Sequence, residues 1–78
     1  PVTSIAYEIP SDCKVTLTVY NILGEKVTTL IDQHQSAGAY TVEWNGETDA
    51  GSRVSSGIYF YRLNAGDYTK SMKMTLMK

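Results

Sequence analysis

Between residues 14 and 20 every second side chain is apolar: Val15, Leu17 and Val19 alternate with Lys14, Thr16, Thr18 and Tyr20. A period of two sends successive side chains to opposite faces of a strand, so one face of this segment meets a core and the other meets water. The same period recurs at Ile5, Tyr7 and Ile9, at Tyr40, Val42 and Trp44, and at Met72, Met74 and Leu76, while no segment carries a helical period. Residues 58–63 are apolar on both faces apart from Arg62, which predicts a central strand with Tyr59, Tyr61 and Leu63 directed inward. A chain with this many short alternating runs can only fold by stacking sheets.

The punctuation between the runs fixes the connections. Pro10, Ser11 and Asp12 end the first run, and Asn21-Ile22-Leu23-Gly24 has asparagine and glycine at the first and fourth places of a type I turn. A third strand is predicted over residues 25–31, with a bulge between Val27 and Leu30, because their odd separation cannot bury both under a strict alternation. Residues 32–38 are polar and small and predict a loop. Residues 45–56 predict a second loop with a short extended piece near Arg53 and Val54, after which Gly57 releases the next strand. Residues 64–67 form a tight connection into a last strand over residues 68–77. Turn signals every 8–12 residues of this kind belong to an immunoglobulin-like, two-sheet antiparallel sandwich of about seven strands, here one all-β domain covering residues 1–78. In so small a core Trp44 is expected between the sheets with Val15, Leu17, Val19, Val42 and Tyr61 around it. Tyr59 and Tyr61, near the start of a late strand, resemble the tyrosine corner of such sandwiches, whose hydroxyl ties the preceding loop to the sheet.

The side chains that carry chemistry are sparse. Seven basic and eight acidic residues leave a net charge of −1, which supplies no field for nucleic acid or an anionic membrane. No run approaches the roughly 20 apolar residues that span a bilayer. The single cysteine, Cys13, has no partner for an internal disulfide, and the plain reading of it is a partly buried thiol, although neighbouring Lys14 favours the thiolate. His34 stands in a Gln-His-Gln stretch without a second histidine or cysteine at metal spacing and without a serine and acid to form a triad. Asn45, Glu47 and Asp49 place three oxygen donors at alternate positions, but an EF-hand register puts Ala50 and Ser56 where glycine and a bidentate glutamate are required, so these residues read as turn formers. Glu43 and Glu47 lack the surrounding wall that a carboxylate pair needs to exclude water. The aromatic set Trp44, Tyr59, Phe60 and Tyr61 has the look of a sugar-stacking platform, but Trp44 and the inward tyrosines read first as core. No catalytic residue, cofactor or metal site is predicted, and the chain is not read as an enzyme.

The order of the motifs is more specific than any of these. Val15-Thr-Leu-Thr-Val-Tyr-Asn-Ile-Leu-Gly-Glu-Lys-Val27 is followed by Ala37-Gly-Ala-Tyr40, Trp44-Asn-Gly46, Ser56-Gly-Ile-Tyr-Phe-Tyr-Arg-Leu63 and Lys73-Met-Thr-Leu-Met-Lys78. This series, covering nearly the whole chain, resembles the type A C-terminal sorting domains of cargo proteins of the type IX (Por) secretion system, which share their immunoglobulin-like core with the flagellar hook-capping protein. The resemblance implies a fragment of a larger protein, in which a folded C-terminal module is read by the outer-membrane secretion machinery and carries covalently linked upstream cargo through the periplasm to the cell surface or the medium. It implies no membrane insertion and no nucleic-acid partner. The residues expected to meet the machinery are Lys73 on the last strand, where Ser71, Lys73 and Thr75 point outward, and Lys70 and Lys78 toward its ends; Trp44, Tyr59, Tyr61, Gly24 and Gly57 are expected to hold the fold. A structural spacer or carbohydrate-binding appendage of a multidomain extracellular enzyme, or a hook-cap-like assembly domain, is the alternative.

Overall fold

The computed structural model describes residues 2–77, and Lys78 lies outside the described residues. Six strands follow one another: β1 (Thr3–Ile9), β2 (Cys13–Tyr20), β3 (Lys26–Gln35), β4 (Gly38–Trp44), β5 (Gly57–Ala65) and β6 (Tyr68–Leu76). They form two antiparallel sheets, a small one of β1 and β4 and a larger one in the order β3-β2-β5-β6. Among the described residues the sandwich thus has six strands rather than about seven. The extended piece at Arg53 makes only a single bridge, to Glu47, because the loop turns away again at once.

The alternation read from the sequence becomes burial in both sheets. Ile5, Tyr7 and Ile9 of β1 close over Val15 and Leu17 of β2 and Tyr61, Leu63 and Ala65 of β5. A second cluster gathers Trp44 with Val19, Tyr59 and Leu76, and Val27, Leu30, Val54 and Met74 pack against it. Trp44 therefore shares its cluster with Val19 from the expected set, whereas Val15, Leu17 and Tyr61 belong to the other cluster. β4 delivers its indole at the far end of the sandwich, edge-on to Tyr59 with ring centroids 5.0 Å apart. Each fully buried Val or Leu side chain contributes about 1.5–3 kcal/mol, so the few that are wholly enclosed carry much of a domain this small.

β3 departs most from its sequence reading. It continues through residues 32–35, where polar side chains predicted a loop, because Cys13, Lys14 and Val15 of β2 need backbone partners and find them in Gln35, His34 and Gln33. Asp32, Gln33 and His34 are exposed at this edge, and Lys14 and Asp32 form a surface ion pair at 3.2 Å. Two register shifts occur along the β2–β3 ladder, one passing over Leu30 and one over Val27. Two bulges instead of one let both residues turn toward the core and also bury Thr28 between them. The Thr28 hydroxyl is not left unpaired, since it donates to Asp49 Oδ1 at 2.7 Å.

Candidate interaction surface

β6 hydrogen-bonds to β5 along its whole length and has its other edge free among the described residues. Residues directly opposite in an antiparallel pair share a face. Lys73 stands opposite Phe60 on the outer face of the large sheet, whereas Lys70 stands opposite inward-facing Leu63. The two lysines that the sequence places on one strand are thus sent to different surfaces of the molecule. Met72, expected to be buried because it alternates with Lys73, is opposite Tyr61 on the inner face yet remains 43% exposed, since no strand of the small sheet lies over it.

The outer face around Lys73 is unusually apolar. Tyr20, Phe60 and Lys73 form one row across β2, β5 and β6, with Ile58 opposite Thr75 in the next row toward the end of the sheet. Ile22 and Leu23, 69% and 80% exposed, project from the β2–β3 turn beside this row. Ile22 borders two shallow recesses, one shared with Tyr20, Phe60 and Arg62 and the other with Leu23 and Ile58. Neither Arg62 nor Lys73 has an acidic partner in a salt bridge among the described residues. The patch is therefore apolar with a cationic rim.

The turn that carries Ile22 and Leu23 is held by its own polar groups. The Asn21 carbonyl accepts from Gly24 N at 3.0 Å, and the Asn21 side-chain oxygen accepts from Leu23 N and Glu25 N, each at 2.9 Å. Gly24 closes the turn at φ +82, a conformation that side chains with a Cβ resist. Because these bonds complete the turn without the side chains of Ile22 and Leu23, two large aliphatic side chains are left exposed to water. Gly57, also at positive φ, opens β5 opposite Leu76 and lets the chain drop from the loop into the sheet next to the patch. Below it the buried Tyr59 donates its hydroxyl to the Ser55 carbonyl at 2.7 Å, tying that loop to the core.

The remaining candidates are placed separately. Trp44 is 1% exposed and donates its indole N–H to the Glu47 carbonyl at 3.0 Å, so the loop of Asn45, Glu47 and Asp49 is fastened from beneath. Asp49 turns back onto β3, accepting from the Thr28 hydroxyl and from Thr29 N and lying 3.8 Å from Lys26 Nζ. These hydrogen bonds, the Thr28 one foremost, lower its pKa below the ordinary carboxylate value. Among the described residues no three His, Cys, Asp or Glu side chains converge as a metal site would require. His34 is exposed on β3 opposite Lys14, in a strand instead of the loop expected for it, and Cys13 starts β2 half-buried against Gly66. Burial pushes the Tyr7 hydroxyl above the usual phenol range, and its hydrogen bond to Gln35 at 2.8 Å acts the other way. Sequence reasoning passed over Ile22, Leu23, Ile58 and Tyr20 as parts of a surface. For Ile22 and Leu23 the signal is their place as aliphatic residues at the two central turn positions, where chains favour polar ones; Tyr20 and Ile58 join the surface through strand register.

The family described as the FlgD Ig-like domain matches residues 2–76. No curated protein sequence matches the chain. Among solved structures, FlgD from P. aeruginosa superposes with a TM-score of 0.77 at 21% identity, covering 96% of this chain and 58% of that one. Dimeric latent PorU from Porphyromonas gingivalis superposes with a TM-score of 0.64 at 18% identity, covering 96% of this chain and 9% of that one. At these identities the superpositions establish the fold. The chain spans little more than half of the FlgD structure and a small part of PorU.

Proposed function

The chain belongs to the FlgD Ig-like domain family, and from that premise and the motif resemblance we propose that it is a non-catalytic module that attaches a larger cargo protein to the outer-membrane machinery of type IX secretion. The observation that carries the reading is the cation-rimmed apolar patch of Ile22, Leu23, Ile58 and Phe60 with Arg62 and Lys73. Exposed aliphatic and aromatic side chains gathered on one side of a small domain mark a protein contact, and unpaired cations at the rim favour an acidic partner surface. The module then acts as a handle recognised by its folded shape. Its cargo passes through the periplasm and ends at the cell surface or in the medium.

Export of a reporter fused ahead of the module, in a host with type IX secretion, tests this. Replacing Ile22 and Leu23 together by serine leaves the fold intact, because neither is buried, and is expected to abolish most export; Lys73→Ala reduces it modestly. Wild-type export by the double variant overturns the reading. The second reading, a hook-cap-like assembly domain, is favoured by the family itself and by the fuller overlap with FlgD. It predicts that the reporter is not exported at all and that the same patch is needed for a multi-subunit assembly.

A further inference from the structure

The two sheets are unequal, and the inequality leaves an incomplete layer. The register carries Tyr68, Lys70 and Met72 of β6 on the face shared by Ala65, Leu63 and Tyr61, which is the face turned toward the small sheet. Tyr68 nevertheless remains 42% exposed. β4 follows β3 after only Ser36 and Ala37 and so lies toward the β3 side, whereas β1 borders β6, its Glu8 and Ile9 lining a recess with Pro10 and Tyr68. An open groove of about 490 Å³ joins the sheets there, bordered by residues 6–8 of β1 and 39–41 of β4, with Tyr61, Leu63, Tyr68 and Lys70 from the large sheet.

The edge of β1 beside this groove has no strand partner among the described residues. Its one charged residue is Glu8, and it lacks the other devices that keep exposed edges from pairing. The β1–β4 ladder runs from Thr3 to Ile9 without a register shift, and the strand holds neither proline nor lysine. The other sheet is guarded, by two bulges in β3 and by Lys70 and Lys73 on β6.

We propose that this groove is a seat for one extended segment of another protein, which adds to β1 as the third strand of the small sheet. Water satisfies an exposed backbone edge, but where a partner covers that edge over several residues the partner supplies the hydrogen bonds as an added strand. The floor of Tyr61, Leu63 and Tyr68 selects apolar side chains at alternate positions of that segment. Lys70, which has no acidic partner among the described residues, selects an acid among them. A second copy of this chain does not meet the requirement. Its own β1 has Ile5, Tyr7 and Ile9 buried in its own core, so pairing two copies would lengthen the small sheet without covering the groove. The seat is separate from the outer-face patch and does not depend on the secretion reading.

The test uses a probe strand of nine residues, alternating valine and threonine with valine first and glutamate in place of the central valine, joined ahead of Val2 by a flexible glycine-serine linker that keeps it at high effective concentration. Amide hydrogen exchange of the β1 N–H groups directed away from β4 is read by NMR, and sedimentation reports the oligomeric state. The expected result is a monomer in which those amides exchange at least about tenfold more slowly than in the untethered chain. A central lysine in the probe weakens the protection by roughly fivefold or less, the range of a cross-strand charge pair, and Lys70→Glu in the module reverses that preference. A central proline removes the protection. Absence of protection with the glutamate probe, or equal protection by the proline probe, overturns the proposal. So does concentration-dependent protection of the same amides in the untethered chain, which would make a second copy the occupant. Because no export is measured, none of these outcomes touches the outer-face patch.

Discussion

β5 and β6 are neighbours in one sheet, each nine residues long and each apolar at alternate positions over much of its length, yet they end in different environments. β5 buries Tyr59, Tyr61, Leu63 and Ala65, whereas β6 buries only Leu76 fully and leaves Met72 in contact with water. Pairing decides which way a side chain points, and the layer opposite decides whether that direction is inside. The two-stranded sheet is too narrow to cover four strands, so the same pattern yields a core strand under β1 and a half-wet strand one place farther out. Trp44 makes the exception at Leu76, because the indole reaches where the backbone of the small sheet does not.

The largest effect that separates the two strands is expected from removing that indole. Trp44→Ala takes away the contact with Tyr59 and Leu76 and opens a cavity, destabilising the domain by about 3–5 kcal/mol, a large part of what a domain of this size possesses. Urea denaturation measures it. A loss below about 1 kcal/mol would mean that β6 is held by β5 alone and that the comparison with β5 misplaces the source of its order.

The strands that face a layer were legible from their own residues. Val15, Leu17 and Val19, and likewise Tyr59, Tyr61 and Leu63, are buried on the face that the period of two assigns them, because β2 and β5 are central and both of their edges are paired. What escaped was set by neighbours distant in the chain. Residues 32–35 are strand only because β2 requires partners, and Met72 is exposed only because the small sheet stops short. The lysines of β6 were identified as surface residues, but their division between two faces follows from the register with Phe60 and Leu63. The apolar turn at Ile22 and Leu23 was read for its asparagine and glycine, and its two central side chains gave a functional signal that turn geometry alone does not express.

A smaller effect sharpens the inner face of β5. Tyr59→Phe keeps the ring against Trp44 and deletes only the hydrogen bond to the Ser55 carbonyl, at an expected cost of about 1 kcal/mol. The measurement is chemical denaturation beside Tyr68→Phe on β6, whose exposed hydroxyl carries no comparable expectation. Equal losses in the two variants would remove the distinction between the strands at this level of detail.

Asp49 extends the comparison to the edge strand on the opposite side of the sheet. Its folded pKa is lowered, so the stability it contributes is fully present above the unfolded value of about 4 and is lost as pH falls through the folded one. Asp49→Asn is therefore expected to be less stable than the parent at pH 7, with the gap closing on acidification. Melting temperatures of both proteins from pH 7 to pH 2 check the sign. A gap that widens toward low pH would show that Asp49 does not act through its carboxylate on Thr28 and Thr29.

The smallest effect is the most discriminating, because it falls on a residue that the alternating pattern assigns to the core. Met72 shares its face with Tyr61, Met74 and Leu76, but the small sheet leaves it beside the groove. Truncating a fully buried methionine costs about 2–5 kcal/mol, and most surface substitutions fall within about ±0.5 kcal/mol. Met72→Ala is expected in the second range, with Leu76→Ala, one turn of the pattern beyond Met74, in the first. Chemical denaturation of the two variants gives the contrast directly. A loss at Met72 that approaches the loss at Leu76 would mean that the groove is closed in solution and that β6 has the same covered inner face as β5; near neutrality at Met72 places the limit of the core between adjacent strands.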